Sequence, residues 1–349
     1  MATGSSLDIF TCFFITMDRL QLLEHWLQNQ FPDQQFSLEP ASADASFRRY
    51  FRVALRDKTM IVMDAPPEHE NCDPFVCVAR LMTGAVHVPE VIARDAERGF
   101  LLLSDLGNMT YLQALTSEPG SASSLYSAAT DALVQMQLTQ SLDDLPPYDD
   151  TLLRFELSLF PDWYVAKHLQ IKLTDSQQAI LEQTFNRIVQ NNLSQPRVFV
   201  HRDYHSRNLM VTEPNPGILD FQDAVVGPIT YDLVSLFKDA YIRWDEEQVL
   251  DWVIRYWEKA RKAGLPVSSD FGDFYRDFEW MGVQRHIKVL GIFARLCYRD
   301  GKKAYLDDMP LVMHYLRKAC ERYIELKPML NLLDELEGND ASDKVGYTF

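Results

Sequence analysis

The sequence has no excess of positive charge. Its 34 Lys and Arg face 50 Asp and Glu, a formal net charge of −16. An acidic surface repels nucleic-acid phosphates, which argues against a nucleic-acid-binding protein. Any anionic nucleotide must then be met by local cations and a metal. A disulfide framework is lacking as well. The five cysteines, Cys12, Cys72, Cys77, Cys297 and Cys320, are odd in number, and Cys72-x4-Cys77 has no second pair to complete a zinc site. Idle thiols in a reducing cytoplasm are the default reading. Long apolar runs are missing too. Ile9-Phe10-Thr11-Cys12-Phe13-Phe14-Ile15 is too short to span a bilayer, and no Lys or Arg precedes it to make a signal peptide. Met17-Asp18-Arg19-Leu20 opens a helical pattern through Trp26 and Leu27. Met17 therefore reads as the natural start, and residues 1–16 as an extension or poorly ordered tail.

Hydrophobic residues make up 47% of the 349, more than one small lobe holds. Residues 18–31 read as an amphipathic helix and residues 74–83 as a second. Tyr50–Leu55 and Met60–Met63 read as strands joined at Arg56-Asp57-Lys58. Pro89–Ala93 and Gly99–Leu103 read as a hairpin. After Gly107 helical periodicity dominates, at 123–139, 151–170, 175–192, 232–242, 246–263, 273–297 and 310–326. The expected fold is α+β and two-lobed: a small sheet lobe over 17–106, a larger mainly helical lobe over 107–336, and a polar tail over 337–349. A cleft between lobes is a natural ligand site.

One stretch interrupts the helical pattern and carries the chemistry. His201-Arg202-Asp203-Tyr204-His205-Ser206-Arg207-Asn208 follows the apolar run Val198–Val200, and Asp220-Phe221-Gln222-Asp223 follows Gly217-Ile218-Leu219. Two strand ends thus bring together a carboxylate for an attacking hydroxyl and hard oxygen ligands for a metal. Phosphoryl transfer from Mg·ATP requires that set. His-x-Asp-x-x-x-x-Asn followed by Asp-Phe is also the protein-kinase spacing. Two other readings stay open. One is a pair of polar turns after buried strands. The other is a zinc or iron site of His201, Asp203 and His205, with the alternative that His201 merely bonds the loop backbone.

The pattern resembles the aminoglycoside phosphotransferase family, kinase-fold enzymes that phosphorylate small-molecule hydroxyls. The resemblance runs from residue 18 to about residue 330. Ser42–Tyr50, Val62–Pro67, Phe155–Tyr164 and Gln284–Phe293 resemble one branch in particular, bacterial kinases of cell-wall recycling. That branch implies ATP and Mg²⁺, and phosphorylation of N-acetylmuramate or N-acetylglucosamine at the anomeric hydroxyl. By this resemblance Asp203 is the catalytic aspartate, and Asn208 and Asp220 are the metal ligands. Ser104, Asp105 and Leu106 form a hinge that bonds adenine. Asp232 is structural, and as a helix cap it would accept free N–H groups.

The chain departs from the family pattern at two points. The strand Met60-Ile61-Val62-Met63-Asp64 has no lysine for the phosphates, and Asp73–Met82 offers no glutamate at the matching point to pair with one. The phosphate loop Ala41–Ser46 uses small residues, Ser46 among them, in place of glycines. Arg48 or Arg49 could supply the missing charge; strand alternation lets only one reach the nucleotide. On the acceptor side, Glu156, Phe160, Trp163 and Tyr164 recur at helical spacing. The stripe is either core or a sugar pocket in which Glu156 accepts from hydroxyls and Trp163 supplies an aromatic face. Arg285 and Lys288 either receive a substrate carboxylate or form an ordinary salt-bridged surface. Other acceptors remain open (choline, homoserine, an aminoglycoside), as does a nucleotide-binding pseudokinase.

Overall fold

The computed structural model describes residues 18–43, 47–140 and 142–338. The N-terminal extension, Ser46 and the tail from residue 339 lie outside the described residues. Contacts divide the chain into two compact units. One holds the described residues through Cys72 with Val91–Asp105; the other holds Asp73–Glu90 and the described residues from Leu106 on.

The first unit is one helix on one antiparallel sheet. Helix α1 (Arg19–Gln30) starts at Asp18, whose side chain and that of Gln21 form a reciprocal capping box. Its apolar face, Leu23, Trp26 and Leu27, buries against Val53, Val62, Phe100 and Leu102. Those residues sit on strands β2 (Arg49–Ala54), β3 (Thr59–Asp64) and β5 (Phe100–Ser104); β1 (Ser37–Ala43) and β4 (Val91–Asp95) complete the sheet in the order β1-β2-β3-β5-β4. Strand β1 escapes a reading of the sequence because Pro40 interrupts it. Its position at the sheet edge, with a register shift between Pro40 and Ser42, makes the proline tolerable.

The second unit is mainly helical. Helix α2 (Asp73–Met82), read from sequence as part of the sheet lobe, belongs here by contacts. Phe75, Val78, Ala79 and Met82 form its buried face, and the Phe75 ring lies 4.7 Å from that of Phe221. Helices α3 (Tyr111–Ser117), α4 (Ala122–Gln137) and α5 (Asp150–Leu159) follow. Helix α5 runs into a wide π-type segment, Phe160–His168, which ends on a bond from Leu169 N–H to the Tyr164 carbonyl. Then come α6 (Asp175–Ser194), the short pairs β6 (Arg197–Val200) with β9 (Val225–Pro228) and β7 (Leu209–Met210) with β8 (Gly217–Ile218), and helices α7 (Tyr231–Phe237), α8 (Glu246–Ala263), α9 (Phe271–Tyr298), α10 (Met309–Arg322) and α11 (Lys327–Leu336). Helix α9 is the axis of the unit. Its middle, from Phe278 to Leu290, is buried all round and carries Glu279, Gln284, Arg285, His286 and Lys288. At Gly291 its backbone meets the Leu159 backbone: a Cβ there would lie 2.4 Å from the Leu159 carbonyl carbon.

Candidate active site

The loop 201–208 leaves β6 and enters β7, so both its ends are fixed by buried strands. Asp232, in the first turn of α7, accepts the backbone N–H of His201 (2.6 Å) and of Arg202 (2.9 Å). It therefore clamps the loop and does not cap its own helix as expected: the helix N-cap is Thr230, with no side-chain cap bond. Burial pushes its carboxyl up to about 7 against the pull of those two donors. Asp239 accepts from the Ser206 N–H (3.0 Å) and hydroxyl on one oxygen and from the Tyr241 N–H (3.1 Å) on the other.

Two residues of this site take left-handed backbone conformations without being glycine: Arg202 (φ +77°) and Asp220 (φ +63°). Each costs about 1–3 kcal/mol and persists only where the surroundings enforce it. At Arg202 the enforcement is visible. Asp232 accepts its N–H, Arg285 donates to its carbonyl (3.0 Å), and Glu156 accepts from its guanidinium (2.6 Å).

Asn208 Nδ2 donates to the Asp203 carbonyl (3.0 Å) and to Asp220 Oδ2 (3.3 Å), and Gln222 donates to Asp220 Oδ1 (2.9 Å). The three residues singled out in the sequence are thus joined. With that amide orientation, Asn208 Oδ1 makes no hydrogen bond among the described residues. One amide oxygen beside one carboxylate fits Mg²⁺, which takes one or two protein oxygens and completes its shell with phosphate and water. No three His, Cys, Asp or Glu among the described residues form a metal cluster of their own. The His201/Asp203/His205 reading fails for a positive reason. His201 Nε2 bonds the Leu219 carbonyl (3.0 Å) and Nδ1 accepts the Asp203 N–H (3.2 Å), so neither nitrogen is left for a metal. Burial holds this ring near pKa 4 and neutral.

The Asp203 side chain is 40% exposed, and Arg285 Nη1 lies 4.0 Å from its Oδ1. Partial burial alone would raise its pKa. The positive Lys288, Arg285 and Arg202 outweigh that and hold it near 2.

Glu156 is not a free acceptor. It is buried (2% exposed) and accepts from Lys288 (2.7 Å), Arg202 (2.6 Å) and the Tyr148 hydroxyl. Burial penalises both charges, yet their mutual attraction overrides it, lowering the Glu156 pKa and raising that of Lys288. Arg285 and Lys288 share the Tyr231 hydroxyl (3.3 and 2.9 Å). Glu156 and Arg285 therefore belong, with Arg202, Lys288 and Tyr231, to an internal knot beneath the loop and not to an exposed salt bridge. Phe160 and Tyr164 are buried and stacked, centroids 5.1 Å apart, so that stripe is core. Trp163 is half-buried, and no described hydrogen bond, ion pair or ring contact joins it to Asp203.

In the first unit, Arg49 pairs with the buried Asp64 (Nε to Oδ2, 3.0 Å), which Arg19 also holds (2.7 Å). Arg48 faces the other way, 3.9 Å from Glu70. Asp105 is gripped by Arg52 (2.7 and 3.1 Å), which fixes the end of the strand that carries Ser104; Leu106, next in the chain, is buried. A cavity of about 930 Å³ is lined by Val86, His87, Asp131, Gln135, Asn215 and Lys259 among others and contains no residue of the loop 201–208. Sequence spacing could not reveal Asp232, Asp239 or the knot, because these partners lie 30 or more residues from the loop positions they hold.

A family profile described as "Phosphotransferase enzyme family" matches residues 37–265. The chain is 50% identical over 337 residues to the N-acetylmuramate/N-acetylglucosamine kinase of Neisseria meningitidis serogroup B, covering 95% of this chain and all of that one. It is 50% identical over 335 residues to the enzyme of the same name from Pseudomonas aeruginosa, covering 93% and 98%. Among solved structures, an ADP-bound aminoglycoside phosphotransferase superposes with TM-score 0.56 at 14% identity, over 84% of this chain and 97% of that one, and shares the kinase-like fold. This chain belongs to the phosphotransferase enzyme family.

Proposed function

We propose that the protein transfers the γ-phosphoryl group of ATP to the anomeric hydroxyl of N-acetylmuramate and N-acetylglucosamine, in cytoplasmic recycling of cell-wall sugars. The observation that carries this is the assembled Asp203–Asn208–Asp220 group in a chain half identical, over nearly its whole length, to two kinases named for those sugars. Asp203 orients the hydroxyl and takes its proton. A carboxylate held near pKa 2 is a weak base. It suits a loose transition state, in which the nucleophile needs aiming more than early deprotonation. An anomeric hydroxyl is also more acidic than an ordinary alcohol. Asn208 and Asp220 would hold Mg²⁺, which neutralises phosphate charge when bound.

The setting favours this acceptor over a cationic one. Arg202, Arg285 and Lys288 surround Asp203 with positive charge, a poor field for choline or an aminoglycoside. The intact Asp203–Asn208–Asp220 group also opposes the pseudokinase reading. That no described helix is long and apolar enough to cross a membrane is compatible with a cytoplasmic enzyme.

The test is turnover of both sugars with Mg·ATP, with phosphorus NMR to locate the phosphate. Product at the anomeric oxygen, and none from the 1-O-methyl glycosides, is expected. A phosphorylated methyl glycoside refutes the anomeric assignment, and turnover of choline with no sugar turnover moves the acceptor to another class.

A further inference from the structure

The two proposed acceptors differ by one group. N-acetylmuramate is N-acetylglucosamine carrying a lactyl ether, and therefore a carboxylate. Glu156 occupies Lys288 and Arg202, and Arg285 is turned to the Arg202 carbonyl and Tyr231, so the buried cations beneath the loop are engaged.

One cation of the loop is placed differently. Arg207 lies between Asp203 and Asn208 in sequence, and its side chain is 42% exposed. Its guanidinium lies over the Tyr241 ring, 3.5 Å from the centroid, with the Tyr305 ring 6.0 Å away. Its nearest acidic neighbour is Asp308 at 3.8 Å, beyond hydrogen-bond distance, and among the described residues the guanidinium makes no hydrogen bond. Tyr241 is fixed in turn: its N–H donates to Asp239, which also holds Ser206 of the loop, and its ring meets those of His205 and Phe293. A guanidinium 3.5 Å from the centroid of an aromatic face is braced there by its carbon and leaves N–H donors for a further acceptor. That is the arrangement that takes a carboxylate through two parallel bonds. The other charges near Arg207 are Asp308 and, through the loop, Asp203 and Asp239; none saturates its fork.

We propose that Arg207, braced on Tyr241, is the carboxylate-binding residue of the acceptor site, so that this chain distinguishes N-acetylmuramate from N-acetylglucosamine at this position. The inference rests on the amino-sugar reading above. It makes the sugar lie along the loop, with its anomeric hydroxyl at Asp203 and its lactyl group toward Tyr241.

The experiment measures kcat and KM of the wild type and of Arg207→Met on three acceptors: N-acetylmuramate, its uncharged lactyl amide, and N-acetylglucosamine. Loss of one charge-assisted contact should cut the kcat/KM preference for N-acetylmuramate over its amide by about 10- to 100-fold, through KM. Arg207→Met should show little residual preference between the two. The amide comparison on wild-type protein needs no variant, so it holds even if the substitution unsettles the loop. Equal use of N-acetylmuramate and its amide by the wild type overturns the inference. So does an Arg207→Met defect that falls alike on all three acceptors or appears as a raised KM for ATP. Failure of the wild type to phosphorylate any of the three would instead overturn the amino-sugar reading, and this inference with it.

Discussion

At Asp203 the decisive quantity is the balance between burial, which favours the neutral acid, and the cations of α9 and the loop, which favour the carboxylate. The cations win. Carboxyl ¹³C NMR should therefore find Asp203 ionised from neutral pH down to about pH 3, because a carboxyl held near 2 takes up its proton only as the pH approaches that value. A titration centred above 4 would show that the neighbouring charges do not act on it. Asp203→Asn keeps the shape and removes the proton acceptor, so kcat should fall by about 10²- to 10⁴-fold with ATP affinity within a few-fold. The paired arginines of the first unit should part company in the same way. Arg49 is committed to Asp64, so Arg49→Ala should lower the melting temperature; Arg48→Ala should raise KM for ATP, which Arg49→Ala changes less. Identical effects of the two would leave the missing strand lysine without a substitute.

At the scale of elements, the loop is held by helices that the sequence places far from it. Helix α5 sends Glu156 and α9 sends Arg285 and Lys288, and Arg202 is the loop residue they seize. Glu156→Ala should therefore act on stability first. It strands two buried cations, at a cost of about 3–5 kcal/mol measured by chemical denaturation. A variant of unchanged stability with only a raised sugar KM would return Glu156 to the substrate. The junction of α5 and α9 makes a second demand. Gly291→Ala places a methyl group against the Leu159 backbone and should destabilise by about 1–3 kcal/mol, because backbone cannot swing aside as a side chain can. Helices such as α8 are plain in the sequence, since their periodicity records which face is buried. The π-type segment is not: Phe160–His168 keeps the apolar content of a helix, and only the widened hydrogen bonds distinguish it.

For the whole molecule, net charge and nucleotide binding are in tension. A chain of charge −16 can hold a triphosphate only through local groups and a cation. Mg·ATP should therefore stabilise the wild type against heat, by about 2.7 kcal/mol at a hundred times its Kd. Asp220→Ala should lose most of that gain. An equal thermal shift in the variant would show that Asp220 is not a metal ligand.

The sequence by itself determined the class of chemistry. His201 to Asn208 and Asp220 stand at strand ends, and such local spacing survives into three dimensions because a short loop cannot carry its residues far apart. It also determined the α+β character, since hydrophobic period reports element type directly. Only the tertiary structure decided the roles of the remaining charged residues. Glu156, Lys288 and Arg49 look like ligand contacts in one dimension, whereas in the fold Glu156 pairs with Lys288 and Arg202, and Arg49 pairs with Asp64. Asp232 looks like a cap and is a clamp. A buried charge must find its partner in space, and that partner can come from any distance along the chain.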